Sequence, residues 1–344
     1  MTKDISVLVD SYNLVCQNAS GGVKVRIENF EKNIKNKIKL KKFDKWADSV
    51  KDYDVVHVFK SSSESWTLLK YAHANNIPVV VSSVVPSEKR WIIKANHYIC
   101  KMIPLYSDRY MNELVLVNAD AICAQTEKEK KFLMRTFRIP GEKITVIPNG
   151  ISLEDLPIAD TYFEEKTGIN SGFILQVGRF DENKNQLNVI RAVKGTDMTL
   201  VLIGGPDRTC PEYYEQCKKE AGENVHFLGW VDHDDPLLQA AYRAAHTVIL
   251  PSHKEIFGNS LVEGGACGAN LVVSKALPIW EWGIKELCLQ IDPKSVEDIK
   301  KALQTSVDTP KNQAVADKIR NLFSWDKVTD AYIRIYEKVI NERK

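Results

Sequence analysis

No stretch of about 18 apolar residues occurs in the 344-residue chain, so the sequence offers no candidate for a bilayer-spanning helix. CxxC pairs are missing too. The seven cysteines, Cys16, Cys100, Cys123, Cys210, Cys217, Cys267 and Cys288, are scattered, and none has a histidine partner at zinc spacing. They read as reduced, structural thiols, with no zinc or disulfide framework. An excess of one charge is lacking as well: 47 Lys and Arg face 45 Asp and Glu, for a net charge of +2, so no bulk attraction to nucleic acid is expected. The opening MTKDISVLVDSYNL meets an acidic residue too early for a secretory leader and reads as a first strand, which makes a cytoplasmic location the expectation. What is present is 44% hydrophobic and 27% charged, the composition of a soluble globular protein with two or three domains.

The charge is unevenly spread. The segment 24–45, opened by Lys24 and closed by Lys45, holds nine basic and three acidic residues. Ile27, Phe30, Ile34 and Ile38 recur in it at helical spacing, which fits a surface helix on anionic lipid. An ordinary amphipathic helix packed on a sheet, with lysines in water, fits as well.

Short apolar runs alternate with helical segments: ISVLVD, DVVHVF, IPVVVSSVV, AICAQT, ITVIP, then FILQVG, TLVLIGG, VHFLG, HTVILP and NLVVS. Such alternation marks βαβ units and parallel sheets. The pattern breaks around 148–166, where prolines and an Asn-Gly turn suggest an interdomain linker. The closing FSWDKVTDAYIRIYEKVINERK reads as a helix with Trp325, Val328, Tyr332, Ile335 and Val339 on one side.

The run 251–274, PSHKEIFGNSLVEGGACGANLVVS, is the most informative. It follows the apolar strand HTVIL and enters a helix, so its turn lies at a strand's carboxyl end, where open α/β sheets bind ligands. Amides of Phe257, Gly258, Asn259 and Ser260 suit a phosphate. Glu255 and Glu263 stand on either side, and carboxylates accept hydrogen bonds from hydroxyls. A ligand with an anionic middle and hydroxyl-bearing ends, such as a nucleoside diphosphate sugar, matches. Acidic residues placed near a helix start for dipole reasons explain Glu263 about as well. Gly258, Gly264, Gly265 and Gly268 weigh toward close backbone approach.

Other pieces fit the same edge. GRFDENK follows FILQV and brings Arg179 and Lys184, cations able to neutralise a diphosphate and the charge that grows as it leaves. Gly204 and Gly205 end another strand and permit close approach. A base has room against Trp230 or Val231 in the turn after VHFLG, although a packed aromatic is the commoner role for Trp230. Asp232-His233-Asp234 has metal-like spacing, but capping explains it and the cations leave no need for a metal. Gly22, in the Gly-Gly pair after the first strand, is a candidate for the facing wall of the phosphate pocket.

Together these pieces resemble the retaining, nucleotide-sugar-dependent glycosyltransferases of GT-B fold, family four. The motifs are the glutamates Glu255 and Glu263 separated by seven residues, GRFDENK, IGGPD, VHFLGWV, ACGANLVVS and VIPNGIS, over roughly residues 118–283. The resemblance implies two Rossmann-like parallel-sheet domains facing across a cleft: 1–155 for the acceptor, 156–324 for the donor, and a helix 325–344 crossing back. It implies that Glu263 binds ribose hydroxyls, Glu255 the donor sugar, and Arg179 and Lys184 the diphosphate, with no metal. The donor would be of UDP or GDP type, and transfer would retain anomeric configuration by front-face attack. The acceptor would be a cell-surface glycan or lipid-linked precursor at the inner face of the plasma membrane. Two departures stand out: Ser82 and Ser83 occupy the strand end where many members carry a histidine, and Glu255 is followed by IFG instead of GFG. A non-catalytic accessory subunit of the same fold is the alternative that the missing histidine favours. A glycoside hydrolase using both glutamates would not require Arg179 and Lys184.

Overall fold

The computed structural model describes residues 5–11, 22–84, 90–103, 107–151, 157–311 and 313–343. They form two compact units, one of residues 1–150 with 325–344 and the other of 151–324.

The first unit carries a six-stranded, wholly parallel sheet: β1 (Ser6–Ser11), β2 (Lys39–Lys42), β3 (Val55–Phe59), β4 (Val79–Ser82), β5 (Ala121–Ala124) and β6 (Ile144–Val146), in the order β2-β1-β3-β4-β5-β6. VVHVF and VVVS are buried along their whole length because helices cover both faces. The helices are α1 (Gly22–Ile34), α2 (Ser63–Ala74), α3 (Arg90–Met102), α4 (Asp108–Asn118) and α5 (Glu127–Phe137). Ser62, Ser107 and Thr126 start α2, α4 and α5 by accepting a backbone N–H of the first turn.

The second unit carries β7 (Ile174–Val177), β8 (Leu200–Ile203), β9 (Val225–Gly229), β10 (Thr247–Leu250), β11 (Asn270–Ser274) and β12 (Cys288–Ile291), again all parallel, in the order β12-β11-β10-β7-β8-β9. Its helices are α6 (Tyr162–Thr167), α7 (Gln186–Val193), α8 (Pro211–Glu220), α9 (Pro236–Ala244), α10 (Asn259–Ala266), α11 (Val296–Val307) and α12 (Gln313–Leu322). Strand order reverses between β7 and β10, so loops leaving these neighbours part to opposite faces and open a crevice at their carboxyl ends.

The last helix, α13 (Trp325–Glu342), belongs to the first unit. Val328, Tyr332, Ile335, Tyr336 and Val339 join Phe30 and Ile34 of α1 in its core. Each such side chain contributes roughly 1.5–3 kcal/mol on burial. Arg26 of α1 donates to the Tyr332 hydroxyl at 2.6 Å. The turn at Gly150 lies so close that a Cβ there would meet the Trp325 ring at 2.4 Å.

The segment 24–45 is a packed helix and an edge strand. Ile27, Phe30 and Ile34 are buried, and Lys24, Lys37, Lys41, Lys42 and Lys45 each have an acidic partner: Glu28, Asp326 and Asp330, Asp48, Glu31 and Glu64 respectively. Its positive charge is largely compensated inside the unit. Among the described residues no helix is long and apolar enough to cross a membrane. The six described cysteines form no disulfide; Cys16 lies outside the described residues.

Candidate donor site at the β7/β10 switch point

The loops leaving β7 and β10 are joined before any ligand enters. Asn183 donates to the Lys254 carbonyl at 2.9 Å, its side-chain oxygen accepts the Lys254 N–H at 3.0 Å, and its carbonyl accepts the His253 N–H at 2.9 Å. Gln176 donates to the Lys184 carbonyl at 2.8 Å and Gln186 to that of Arg179 at 2.9 Å. Gly204 sits against this loop: a Cβ there would stand 2.1 Å from the Gly178 carbonyl oxygen, and its φ of +149° falls where other residues are strained. Gly205 is under less constraint, since an added Cβ would reach only ordinary contact with Trp230, at 3.8 Å.

This arrangement brings Lys184 and Glu255 together, with Nζ 2.5 Å from Oε1 and both side chains mostly shielded. The ammonium keeps two further donors for an incoming anion, and the carboxylate keeps a second oxygen for a hydroxyl. Arg179 is more exposed and lies between Asp207, at 2.7 Å, and Asp181, at 3.0 Å. A diphosphate reaching Arg179 therefore competes with two carboxylates. Hydrogen bonds from the Thr209 hydroxyl and amide hold Asp207 below the usual carboxylate range, followed by smaller help from Arg179.

Glu255 leads into α10, whose cap Gly258 has φ +100° and would strike Leu250 with a Cβ at 2.7 Å. Phe257 turns its ring into the core against Phe323, leaving its backbone, with those of Gly258, Asn259 and Ser260, at the helix entry. Gly264 and Gly265 serve packing: a Cβ would meet Val248 at 2.4 Å and Ile319 at 2.3 Å. Close approach of protein to protein, and not of ligand, explains these two. Gly268, with φ +82°, follows the end of the helix.

Glu263 is buried, and both its oxygens are engaged: Oε1 lies 3.1 Å from His233 Nε2, and Oε2 accepts the Tyr242 hydroxyl at 2.8 Å. Burial of His233 opposes its proton, but the hydrogen bond and charge of Glu263 outweigh it, and the imidazole is raised above its ordinary value. Burial foremost, then Glu263, pushes the Tyr242 phenol well up. Tyr242 was not among the residues picked from sequence, and His233 was weighed only within the Asp232-His233-Asp234 run, never as a partner of Glu263. The signal for their contact with Glu263 lay only in the fold, because β9, α9 and α10 bring them together.

Trp230 departs from the packed-aromatic reading. It is half exposed, its indole N–H donating to Asp232 at 2.8 Å, just beyond β9, which is an edge strand. Val231 packs partly on the core. Asp235 caps α9 through the Leu237 N–H at 2.8 Å. Gly22, the first residue of α1, lies in the other unit. A cavity of about 570 Å³ near Phe173, Thr196 and His226 opens where the strands begin, away from all these groups.

In the first unit Ser82 and Ser83 are fully buried. Ser82 Oγ lies 2.9 Å from His57 Nε2 and 3.1 Å from the Tyr332 hydroxyl, and Ser83 donates to Glu129 at 2.8 Å. Burial, followed by the nearby Arg26 charge, lowers His57 well below an ordinary imidazole. Asp10, at the carboxyl end of β1 beside that unit's own reversal of strand order, has its carboxyl pushed up to about 6, chiefly by burial.

Paired Rossmann-like units, with cations and carboxylates gathered at one switch point, define the GT-B class of α/β protein. Residues 4–155 match Glycosyltransferase Family 4, and residues 161–322 match Glycosyl transferases group 1. The chain belongs to the family 4 glycosyltransferases of GT-B fold. It is 26% identical over 254 residues to a D-inositol 3-phosphate glycosyltransferase of Xylanimonas cellulosilytica, covering 67% of this chain and 60% of that protein. It is 33% identical over 150 residues to the D-rhamnosyltransferase WbpZ of Pseudomonas aeruginosa, covering 42% and 37% respectively. The chain thus spans less than two thirds of these curated relatives. Among solved structures it is similar to sucrose-phosphate synthase from Thermosynechococcus elongatus, with a TM-score of 0.74, 18% identity, and 98% and 100% of the two chains covered. Anabaena HepE in complex with UDP and glucose gives a TM-score of 0.71 at 14% identity, covering 98% and 100%.

Proposed function

We propose that this chain transfers a sugar, with retention and without a metal, from a UDP- or GDP-linked donor to a glycan or lipid-linked acceptor. The observation that carries this reading is the Lys184–Glu255 pair at the β7/β10 switch point, which joins the loop after β7 to the loop that enters α10. A nucleoside diphosphate sugar needs positive charge at its middle and hydrogen-bond acceptors at its ends. Lys184, Arg179 and the first amides of α10 supply the first; Glu255 and Glu263 supply the second. UDP and UDP-glucose in the HepE structures support a donor of this type.

In this reading the bond between C1 and the diphosphate oxygen breaks while the acceptor oxygen arrives from the same face. The departing diphosphate oxygen takes the acceptor's proton, and Lys184, Arg179 and the amides steady the charge it gains. Glu255 orients the sugar through its hydroxyls. Glu263, fixed by Tyr242 and His233, meets the ribose.

Thermal unfolding with UDP, GDP and their sugars tests the donor site. A ligand at a hundredfold excess over its Kd stabilises the native state by about 2.7 kcal/mol. If no nucleoside diphosphate shifts Tm, the reading fails. The accessory-subunit alternative retains one supporting observation, since Ser82 and Ser83 are buried where the histidine was expected. Slow donor hydrolysis by the pure protein excludes it.

A further inference from the structure

Helix α3 has two apolar faces, and only one is covered. Ile93 and Cys100 are buried, and the helix is pinned to α4 by His97 Nδ1, 2.7 Å from Glu113 Oε1, and by Asn96, which donates to Ser107 at 3.0 Å. On the outer side Trp91 is 67% exposed, Tyr98 63%, Ile99 52% and Met102 85%, and Ile103 just beyond the helix is 54% exposed. Trp91, Tyr98 and Met102 fall at i, i+7 and i+11, a single stripe with Ile99 at its border. Leaving this much contiguous apolar surface in water marks an interaction site. Lys94 and Lys101 are exposed along the other border, and neither has an ion pair among the described residues. The lysines of 24–45 with named acidic partners differ in that respect.

We propose that the outer face of α3 seats in the interface of a membrane that carries anionic lipid. Trp91 and Tyr98 place amphipathic rings at headgroup depth, Ile99, Met102 and Ile103 enter the acyl boundary, and Lys94 and Lys101 reach the phosphates. Charge complementarity decides between occupants. Two-fold pairing of this face with a second copy brings the lysines of both copies onto one patch, whereas an anionic surface neutralises them. The proposal rests on the lipid-linked acceptor reading and gives it a surface.

Cosedimentation of the full chain with vesicles of phosphatidylcholine and phosphatidylglycerol, against phosphatidylcholine alone, is the test. Binding should require the anionic lipid and weaken with salt. The W91S/Y98S variant and the K94E/K101E variant should each partition about tenfold less or weaker still, while K35E binds as the parent does. Absence of binding to anionic vesicles overturns the proposal, as does unchanged binding by W91S/Y98S. A dimer that W91S/Y98S dissolves overturns it in favour of a second copy. Nucleotide-induced thermal stabilisation, measured without lipid, separates the two failures: a normal UDP or GDP shift with no vesicle binding removes only the membrane surface, and loss of that shift removes the donor site.

Discussion

Lys184 Nζ lies 2.5 Å from Glu255 Oε1 although the two are 71 residues apart in sequence. The cation proposed for the diphosphate and the carboxylate proposed for the sugar therefore hold each other in position before a donor arrives. Preorganisation of this kind lowers the cost of ordering both groups on binding.

Glu255→Ala and Lys184→Ala should each lower transfer by about 10²–10³-fold, the cost of removing a group that meets developing charge or orients the reacting sugar. The double variant should lose much less than the product of the two, since each single change also frees the other's partner. Single-turnover rates with circular dichroism as a fold check decide it, and additive losses argue against joint action.

His233 predicts a pH dependence. Its folded value is raised, so the native chain keeps the imidazole proton to higher pH than the unfolded chain does. Stabilisation from the Glu263 pair is full below about 6.5 and disappears as pH rises through the folded value. The Tm difference between the parent and His233→Ala should narrow over that window. His233→Gln, which can still donate to Glu263, should flatten the profile and keep the donor KM nearer the parent's than His233→Ala does.

Asp10 predicts a slope of the same sign at lower pH. With its carboxyl at about 6, folding favours the protonated form, so the native state loses stability as pH rises from about 4 to about 6. Asp10→Asn should stabilise the protein by on the order of 2–3 kcal/mol at pH 7 and by little at pH 4. Urea midpoints at the two pH values check this; equal shifts at both contradict it.

The glycines of the second unit should divide into two groups. Gly264→Ala and Gly265→Ala force a Cβ into Val248 or Ile319 and should cost about 1–3 kcal/mol each. Gly205→Ala meets only ordinary contacts and should leave Tm nearly unchanged. Donor affinity in Gly205→Ala then reports on the ligand's approach alone.

Strands with continuous apolar runs were legible in the sequence because both faces of these parallel sheets are covered. The two that escaped, KLKK of β2 and CLQI of β12, are edge strands with mixed exposure and no such run. The candidate site was legible wherever a strand end ran into a marked turn, as at GRFDENK and HKEIFGNS. His233 and Tyr242 were not, because what singles them out is contact with Glu263 through three separate elements. For Trp230 the sequence could not choose between a packed aromatic and a surface for a base, because burial depends on what lies over β9, which local sequence does not carry. For 24–45 the sequence left a lipid-facing helix and a packed helix both open, because most of the lysines' partners, among them Asp48, Glu64, Asp326 and Asp330, lie outside the segment.

Asn183 makes one body of two loops, and that divides the site into a fixed and an adjustable part. A substitution in either the GRFDENK or the HKEIFGNS loop is felt by both, so variation there is constrained as a pair. The turn after β9, with its half-exposed Trp230, is under no such tie to these loops among the described contacts. A change of nucleobase preference by directed evolution should therefore accumulate around Trp230 and Val231, the turn proposed for the base, leaving the loops proposed for the diphosphate as the inherited chassis.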